Sequence, residues 1–166
     1  MRLLGVVLCG VLVVSGLLRA EQGSRVLTDF EDEAQLGLLR FSDAEGELST
    51  FAVAVTSAQR CLKVTFHKGA PYPGFTGDRE TGFPLDWRGY DYLRADVFNP
   101  NPRQVSYNIR IDDAQSTGYP TRFNSEGLAF RPGRNTLELH LPSLRTTDGS
   151  RNLDLGRITA FIVFLD

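Results

Sequence analysis

The chain has 166 residues with 18 basic and 20 acidic side chains, a formal charge of −2 at neutral pH. This balance excludes the strongly basic surface that nucleic-acid-binding proteins use, so nucleic acid is not an expected partner. The length suits a single domain that buries a sizeable core without a disulfide or metal to hold it together.

The first twenty residues have the pattern of a secretory signal peptide. Arg2 precedes an apolar run over residues 3–18, and Ala20 supplies the small residue that a cleavage site needs. An uncleaved anchor is the alternative, although this run falls short of the roughly twenty residues that span a bilayer. We predict a signal peptide over residues 1–20 and one domain over residues 21–166, exported to the periplasm or secreted, with no membrane span after cleavage.

Cleavage at this point would also change the charge and the cysteine content. The mature chain would carry 16 basic against 20 acidic side chains, a formal charge of −4. Cys61 would be its single cysteine, which excludes an intramolecular disulfide. Because Cys61 lies in an alternating apolar stretch, we predict that it is a small core residue.

Beyond residue 26 the dominant pattern is an alternation of apolar and polar residues with a period of two. The clearest case is the run from Val105 to Asp112, in which Val105, Tyr107, Ile109 and Ile111 alternate with Ser106, Asn108, Arg110 and Asp112. No segment has a clear helical pattern. The best predicted strands are residues 51–56, 61–66, 92–98, 105–111, 136–141 and 158–165.

The segments between these strands are rich in turn-forming residues, as in residues 99–102 (NPNP), 131–135 (RPGRN) and 148–150 (DGS). Many short strands joined in this way, with no helices between them, predict an all-β fold, an antiparallel β-sandwich or jelly roll. Residues 67–89 differ because they are rich in Gly, Pro and aromatic residues. A connection of that length in a compact domain is often functional.

Residues 86–100 (DWRGYDYLRADVFNP) resemble the galactose-binding-like jelly rolls that occur as carbohydrate-binding modules beside bacterial glycoside hydrolases. Similar features follow the same order elsewhere, at residues 28–32, 111–113, 122–124 and 132–136 and at Tyr119, so the resemblance covers most of residues 26–166. It implies a galactose-binding-like jelly roll that binds a poly- or oligosaccharide on its concave face or loop edge.

The resemblance also implies a structural calcium ion, which such families often hold with oxygens from the first and last strands. Asp29, Glu31 and Asp166 match those positions. Calcium needs six to eight oxygen ligands, and these three residues supply only part of such a set. The alternative is that the acidic residues from Asp29 onward form a solvated strand end.

Saccharide binding requires aromatic faces that stack on a sugar ring and planar polar groups that bind its hydroxyls. The long segment offers aromatic rings, and the polar face of residues 105–112, with the residues that follow, offers the polar groups. The predicted ligand contacts are Tyr72, Phe75, Trp87, Asn108, Arg110, Asp112, Tyr119 and Arg122.

Structural roles remain open for several of these side chains. Trp87, the single tryptophan, is also suited to fill the core where the long segment enters a strand. Tyr72 and Phe75 can belong to a loop that folds back over the sandwich edge. A third possibility is a ladder of ion pairs between strands, made by Arg110, Asp112, Asp113 and Arg122.

Catalytic motifs are absent from the sequence: it has no nucleophile elbow, no paired Cys or His spacing for zinc and no phosphate-binding loop. A glycosidase needs two carboxylates in one cleft, and the adjacent Asp112 and Asp113 point to opposite faces of a strand. We therefore predict a non-catalytic, exported carbohydrate-binding domain. The alternative is a structural or protein-interaction domain of the cell envelope, whose partner would be an envelope protein.

Overall fold

A computed structural model describes residues 4–8, 12–15, 23–50 and 59–165, the first two ranges by their backbone pairing alone. Within them the strands are β1 (Leu4–Leu8), β2 (Leu12–Ser15), β3 (Arg25–Thr28), β4 (Arg40–Ser42), β5 (Ala44–Ser49), β6 (Cys61–Phe66), β7 (Gly74–Asp78), β8 (Tyr92–Asn99), β9 (Val105–Asp113), β10 (Phe123–Asn124), β11 (Leu128–Phe130), β12 (Gly133–His140) and β13 (Ile158–Phe164). The helices in these ranges are short 3₁₀ turns, Glu33–Leu38, Tyr119–Thr121 and Leu141–Ser143.

The described strands form two antiparallel sheets. The first has the order β3-β2-β8-β1-β6-β5, with β12 also paired to β8. The second has the order β10-β9-β13-β7-β4, with β11 also paired to β9. Leu62 and Val97 of the first sheet line the same internal void as Phe75, Phe161 and Val163 of the second, so the two sheets face each other. The predicted all-β sandwich is therefore confirmed.

The two N-terminal strands lie within the predicted signal peptide. β1 pairs with β6 from Leu4↔Phe66 to Leu8↔Leu62, and β2 pairs with β3 and β8. All of this pairing is within the first sheet, and cleavage after Ala20 stays a prediction. The predicted strand over residues 51–56 lies outside the described residues.

The alternation of apolar and polar residues along β9 gives the strand one buried face and one partly exposed face, as predicted. Val105, Tyr107, Ile109 and Ile111 are buried, whereas Asn108, Arg110 and Asp112 are partly exposed on the opposite face. Burial raises the pKa of Tyr107 to about 12, and its ring stacks on Phe130 with the centroids 3.7 Å apart. Cys61 is also fully buried, as predicted for a core residue.

The segment between residues 67 and 89 contains a strand that was not expected there. β7 pairs with β13 over the register from Phe164↔Gly74 to Ala160↔Asp78. Gly74 permits this pairing, because a Cβ at that position would collide with the carbonyl oxygen of Val163 and come within 2.8 Å of the Cβ of Phe164. β7 thereby becomes part of the surface described next.

Candidate functional site

An open cleft of about 660 Å³ lies on the outer face of the second sheet. This volume lies within the range of about 300–1,000 Å³ that is typical of small-ligand sites. The described residues that line the cleft are Ser42, Tyr72, Gly74, Thr76, Asn108, Arg110, Tyr119, Arg122, Asn124, Ser125, Glu126, Gly127, Ile162 and Phe164.

Cross-strand register builds the floor of the cleft in two rows. One row places Thr76, Ile162, Arg110 and Asn124 side by side, because Ile162 pairs with both Thr76 and Arg110, and Arg110 with Asn124. The other row places Gly74, Phe164 and Asn108 together in the same way. The floor therefore has an apolar strip on β13, made by Ile162 and Phe164, with polar side chains of β7 and β9 beside it, and neighbouring strands lie about 4.8 Å apart.

Tyr72 forms one wall and is held in an unusual backbone conformation. Its φ of 56° lies in the left-handed region, although its side chain is 65 % exposed and fills no core space. The ring stands edge-on to Phe164 with the centroids 5.8 Å apart, and the carbonyl of Pro73 accepts a hydrogen bond from the amide of Leu165 at 2.9 Å. An exposed residue kept at a conformational cost is more often found at a functional site than elsewhere.

The opposite wall is the segment that carries Tyr119 and Arg122. Tyr119 is 54 % exposed, and the guanidinium of Arg122 lies 5.5 Å from the centre of its ring. The carbonyl of Arg122 accepts hydrogen bonds from the amide of Thr147 at 2.8 Å and from its hydroxyl at 2.9 Å. The backbone that carries Arg122 is therefore fixed before any ligand arrives.

A buried ion pair supports this wall from behind. Asp113, whose side chain is fully buried, accepts two hydrogen bonds from Arg151 at 2.5 and 2.8 Å, and the same guanidinium donates to the carbonyl of Thr121 at 2.9 Å. Burial alone would raise the pKa of Asp113. The hydrogen bonds from Arg151, the amides of Asp154 and Gln115 and the hydroxyl of Ser116 outweigh that effect and lower the pKa to about 2.

Arg110 is engaged within its own strand. Its Nε and Nη2 donate to the carboxylate of Asp112 at distances from 2.5 to 3.1 Å. The two side chains are 33 % and 14 % exposed, respectively. This pair neutralises both charges locally and fixes the Arg110 side chain on the floor of the cleft.

Arg122 differs, because its Nε is buried and has no hydrogen-bond acceptor in the described part of the chain. Burial is the main cause that lowers the pKa of Arg122 from its ordinary value; the positive charge of Arg110 acts in the same direction, and the carboxylate of Asp112 opposes it. A buried donor without an acceptor costs about 1–3 kcal/mol, and more when it is charged. The cleft thus contains one cationic donor group that the protein itself leaves unsatisfied.

Of the eight residues predicted to contact a ligand, five line this cleft: Tyr72, Asn108, Arg110, Tyr119 and Arg122. Asp112 is their neighbour through its pair with Arg110.

Phe75 and Trp87 do not belong to the cleft. Phe75 is 4 % exposed because it points inward from β7. Trp87 is fully buried, packs edge-on against Phe161 and donates from Nε1 to the carbonyl of Pro84 at 3.0 Å. Trp87 therefore fills the core, which was the alternative for this residue.

The observed ion pairs match only part of the ladder that the sequence suggested between strands. Arg110 and Asp112 do pair, but Asp113 pairs with Arg151, and Arg122 forms no ion pair with any described residue. The floor residues Ile162 and Phe164 were not predicted, because β13 is apolar on both faces and its sequence does not distinguish the outward side from the core side.

The residues proposed for calcium do not assemble a site among the described residues. Asp29 Oδ1 accepts from Gln35 Nε2 at 2.8 Å, and Glu31 Oε1 accepts from the amides of Gln59 and Arg60 at 3.0 and 2.8 Å. Asp166 lies outside the described residues, and no group of three or more metal-binding side chains occurs in the ranges described. The predicted structural calcium ion therefore stays a prediction, since calcium needs six to eight oxygen ligands and Asp166 lies outside the described residues.

Comparisons with protein-family models, curated proteins and solved structures found no match to the chain. No helix within the described ranges has the length and apolar character needed to cross a membrane.

Proposed function

We propose that this protein is an exported, non-catalytic carbohydrate-binding domain and that the cleft on the second sheet binds a saccharide chain. The observation that carries the proposal is the combination of two exposed tyrosines, Tyr72 and Tyr119, with a floor in which an apolar strip on β13 lies beside polar side chains. Tyrosine rings stack on the C–H faces of sugars, while amide and guanidinium groups bind the hydroxyls. The sequence resemblance to carbohydrate-binding jelly rolls supports the same function.

The rigidity of the cleft favours binding of a flexible ligand. The Tyr72 wall is held by its contact with Phe164, and the Tyr119 wall by Arg151 and Thr147. Since a preformed site pays less ordering entropy on binding, it can hold a polar ligand of modest contact area. The strain at Tyr72 would have no benefit if that ring served only to cover the edge of the sandwich.

Isothermal titration calorimetry tests the proposal on protein purified after expression of the whole chain, with the N-terminus determined by mass spectrometry. Soluble β-glucan, xylan, mannan, galactan and uronate-containing glycans are titrated with calcium and then with chelator. We expect saturable binding to at least one of these glycans. Binding that requires calcium would support the predicted structural calcium ion, and binding that chelator leaves unchanged would count against it.

The matched variant is Tyr72→Gly, because glycine adopts the left-handed conformation without strain. The strain relieved offsets the lost contact with Phe164, so we expect the stability to change by less than about 1 kcal/mol. Glycan binding should nevertheless fall at least about tenfold, since stacking is lost. A variant that is folded and binds normally, or a protein that binds no glycan, would leave the envelope interaction domain as the better explanation.

A further inference from the structure

We propose that the saccharide bound in the cleft is acidic and that an anionic substituent of the sugar, a carboxylate or a sulfate, pairs with Arg122. This inference rests on the proposed function and narrows it to one chemical class of ligand. It is carried by the contrast between the two arginines of the cleft, one paired within the protein and one not.

Arg122 has the properties of a receptor for an anion. Its Nε is buried without an acceptor in the described part of the chain, and its guanidinium carbon lies 5.5 Å from the centre of the Tyr119 ring, within the range of a cation–π interaction. A guanidinium presents its N–H donors in one plane, where a carboxylate or sulfate can accept two of them at once. A neutral hydroxyl would leave the positive charge of the guanidinium uncompensated.

Arg110 differs from Arg122 because its charge is paired within the protein. Its charge is balanced by Asp112 within 2.5 Å, so it contributes hydrogen-bond geometry but little net charge. The remaining charged lining residue is Glu126, which is exposed and forms no ion pair with any described residue. Glu126 is therefore a solvated carboxylate at the rim, and its charge opposes an acidic ligand weakly across water.

The backbone at Arg122 is also held in place before any ligand binds. Thr147 fixes its carbonyl with two hydrogen bonds, and Arg151 fixes the preceding carbonyl of Thr121. Because the backbone at Arg122 does not need to reorganise, little of the free energy of the interaction with an anion is lost to ordering the protein. The protein as a whole is acidic, with a formal charge of −2, so general electrostatic attraction does not account for any preference for acidic glycans.

Oligogalacturonate and its methyl ester give a matched pair of probes, because they share one backbone and differ only in charge. Alginate and glucuronoxylan test other uronates, and carrageenan tests sulfate. We expect binding of at least one acidic glycan to exceed that of its neutral counterpart roughly ten- to a hundredfold and to weaken as salt is raised. Whether uronate or sulfate binds better identifies the anion.

Three variants locate the effect. Arg122→Gln should remove the preference for the acidic glycan, and Glu126→Gln should raise the affinity for it by a few-fold. Arg134→Gln, which removes an exposed charge from β12 in the first sheet, should change neither. Acid-dependent binding that survives Arg122→Gln overturns the inference. Equal binding of neutral and acidic glycans overturns it while leaving the proposed function intact, and failure of every glycan to bind overturns both.

Discussion

Replacing Arg151 by methionine should destabilise the protein, because it removes the partner of a fully buried carboxylate. The change keeps the aliphatic stem and removes a guanidinium that makes two hydrogen bonds to the fully buried Asp113. The pKa of Asp113 is held at about 2 against an ordinary value of 3.8. That difference corresponds to roughly 2 kcal/mol of stabilisation at neutral pH.

Part of this stabilisation survives the substitution. The amides of Asp154 and Gln115 and the hydroxyl of Ser116 still donate to the carboxylate at 2.9–3.0 Å. Breaking a buried pair from one side typically costs about 3–5 kcal/mol, and the remaining donors reduce that figure. We expect Arg151→Met to lower the free energy of unfolding by about 2–3 kcal/mol, measured by urea denaturation at pH 7.

The pH dependence gives a second measurement of the same pair. Since the folded pKa lies below the unfolded one, the stabilisation is complete above pH 3.8 and is lost as the pH falls through about 2. In Arg151→Met, burial is less well offset, so the pKa of Asp113 rises and the loss of stability over this range becomes smaller. Arg157→Met is the control, because its pair with Asp154 is long, at 4.0 Å, and exposed. Its effect should stay below about 1 kcal/mol. Equal effects of the two variants, or an unchanged acid profile in Arg151→Met, would refute the role assigned to the pair.

Two further predictions concern the packing behind the cleft. Gly74→Ala should lower the free energy of unfolding by about 1–3 kcal/mol in urea denaturation, because the added methyl collides with Val163. Gly37→Ala is the control and should be near neutral, since no atom lies within 4 Å of the added methyl. Equal effects of the two variants would show that β7 and β13 are not so closely packed. The fluorescence of Trp87 should resist acrylamide quenching and be indifferent to ligand, since this residue is fully buried, and strong quenching in the folded protein would place it at the surface instead.

The sequence predicted the β-sandwich and much of one face of the cleft for a single physical reason, the period of two in β9. Where one side of a strand is buried and the other is solvated, the alternation identifies both sides, as it did for Ile109 and Arg110. The pattern of β13 could not do this, because Ile162 and Phe164 are apolar and yet face outward. An apolar cleft floor has the same composition as a core.

The remaining differences arose from contacts that span long distances in sequence. Asp113 and Arg151 are 38 residues apart, and nothing in either local pattern indicates that they pair. The strand β7 was not predicted, because its sequence, GFTGD, has two glycines and little alternation of apolar and polar residues. Its glycine at position 74 reflects close approach to β13, which is a property of the sheet and not of the segment.

The strands of the predicted signal peptide and the residues of the cleft lie in different sheets. β1 and β2 pair only with strands of the first sheet, whereas every described residue that lines the cleft belongs to the second sheet or to the loops beside it. The supports of the cleft walls, Phe164, Thr147 and Arg151, also lie far along the chain from residue 20. Cleavage would thus alter the pairing of β6 and β8 but would remove none of the described residues that line the cleft. Ligand affinity should therefore be the same before and after processing, while stability should differ, so the two properties can be measured separately.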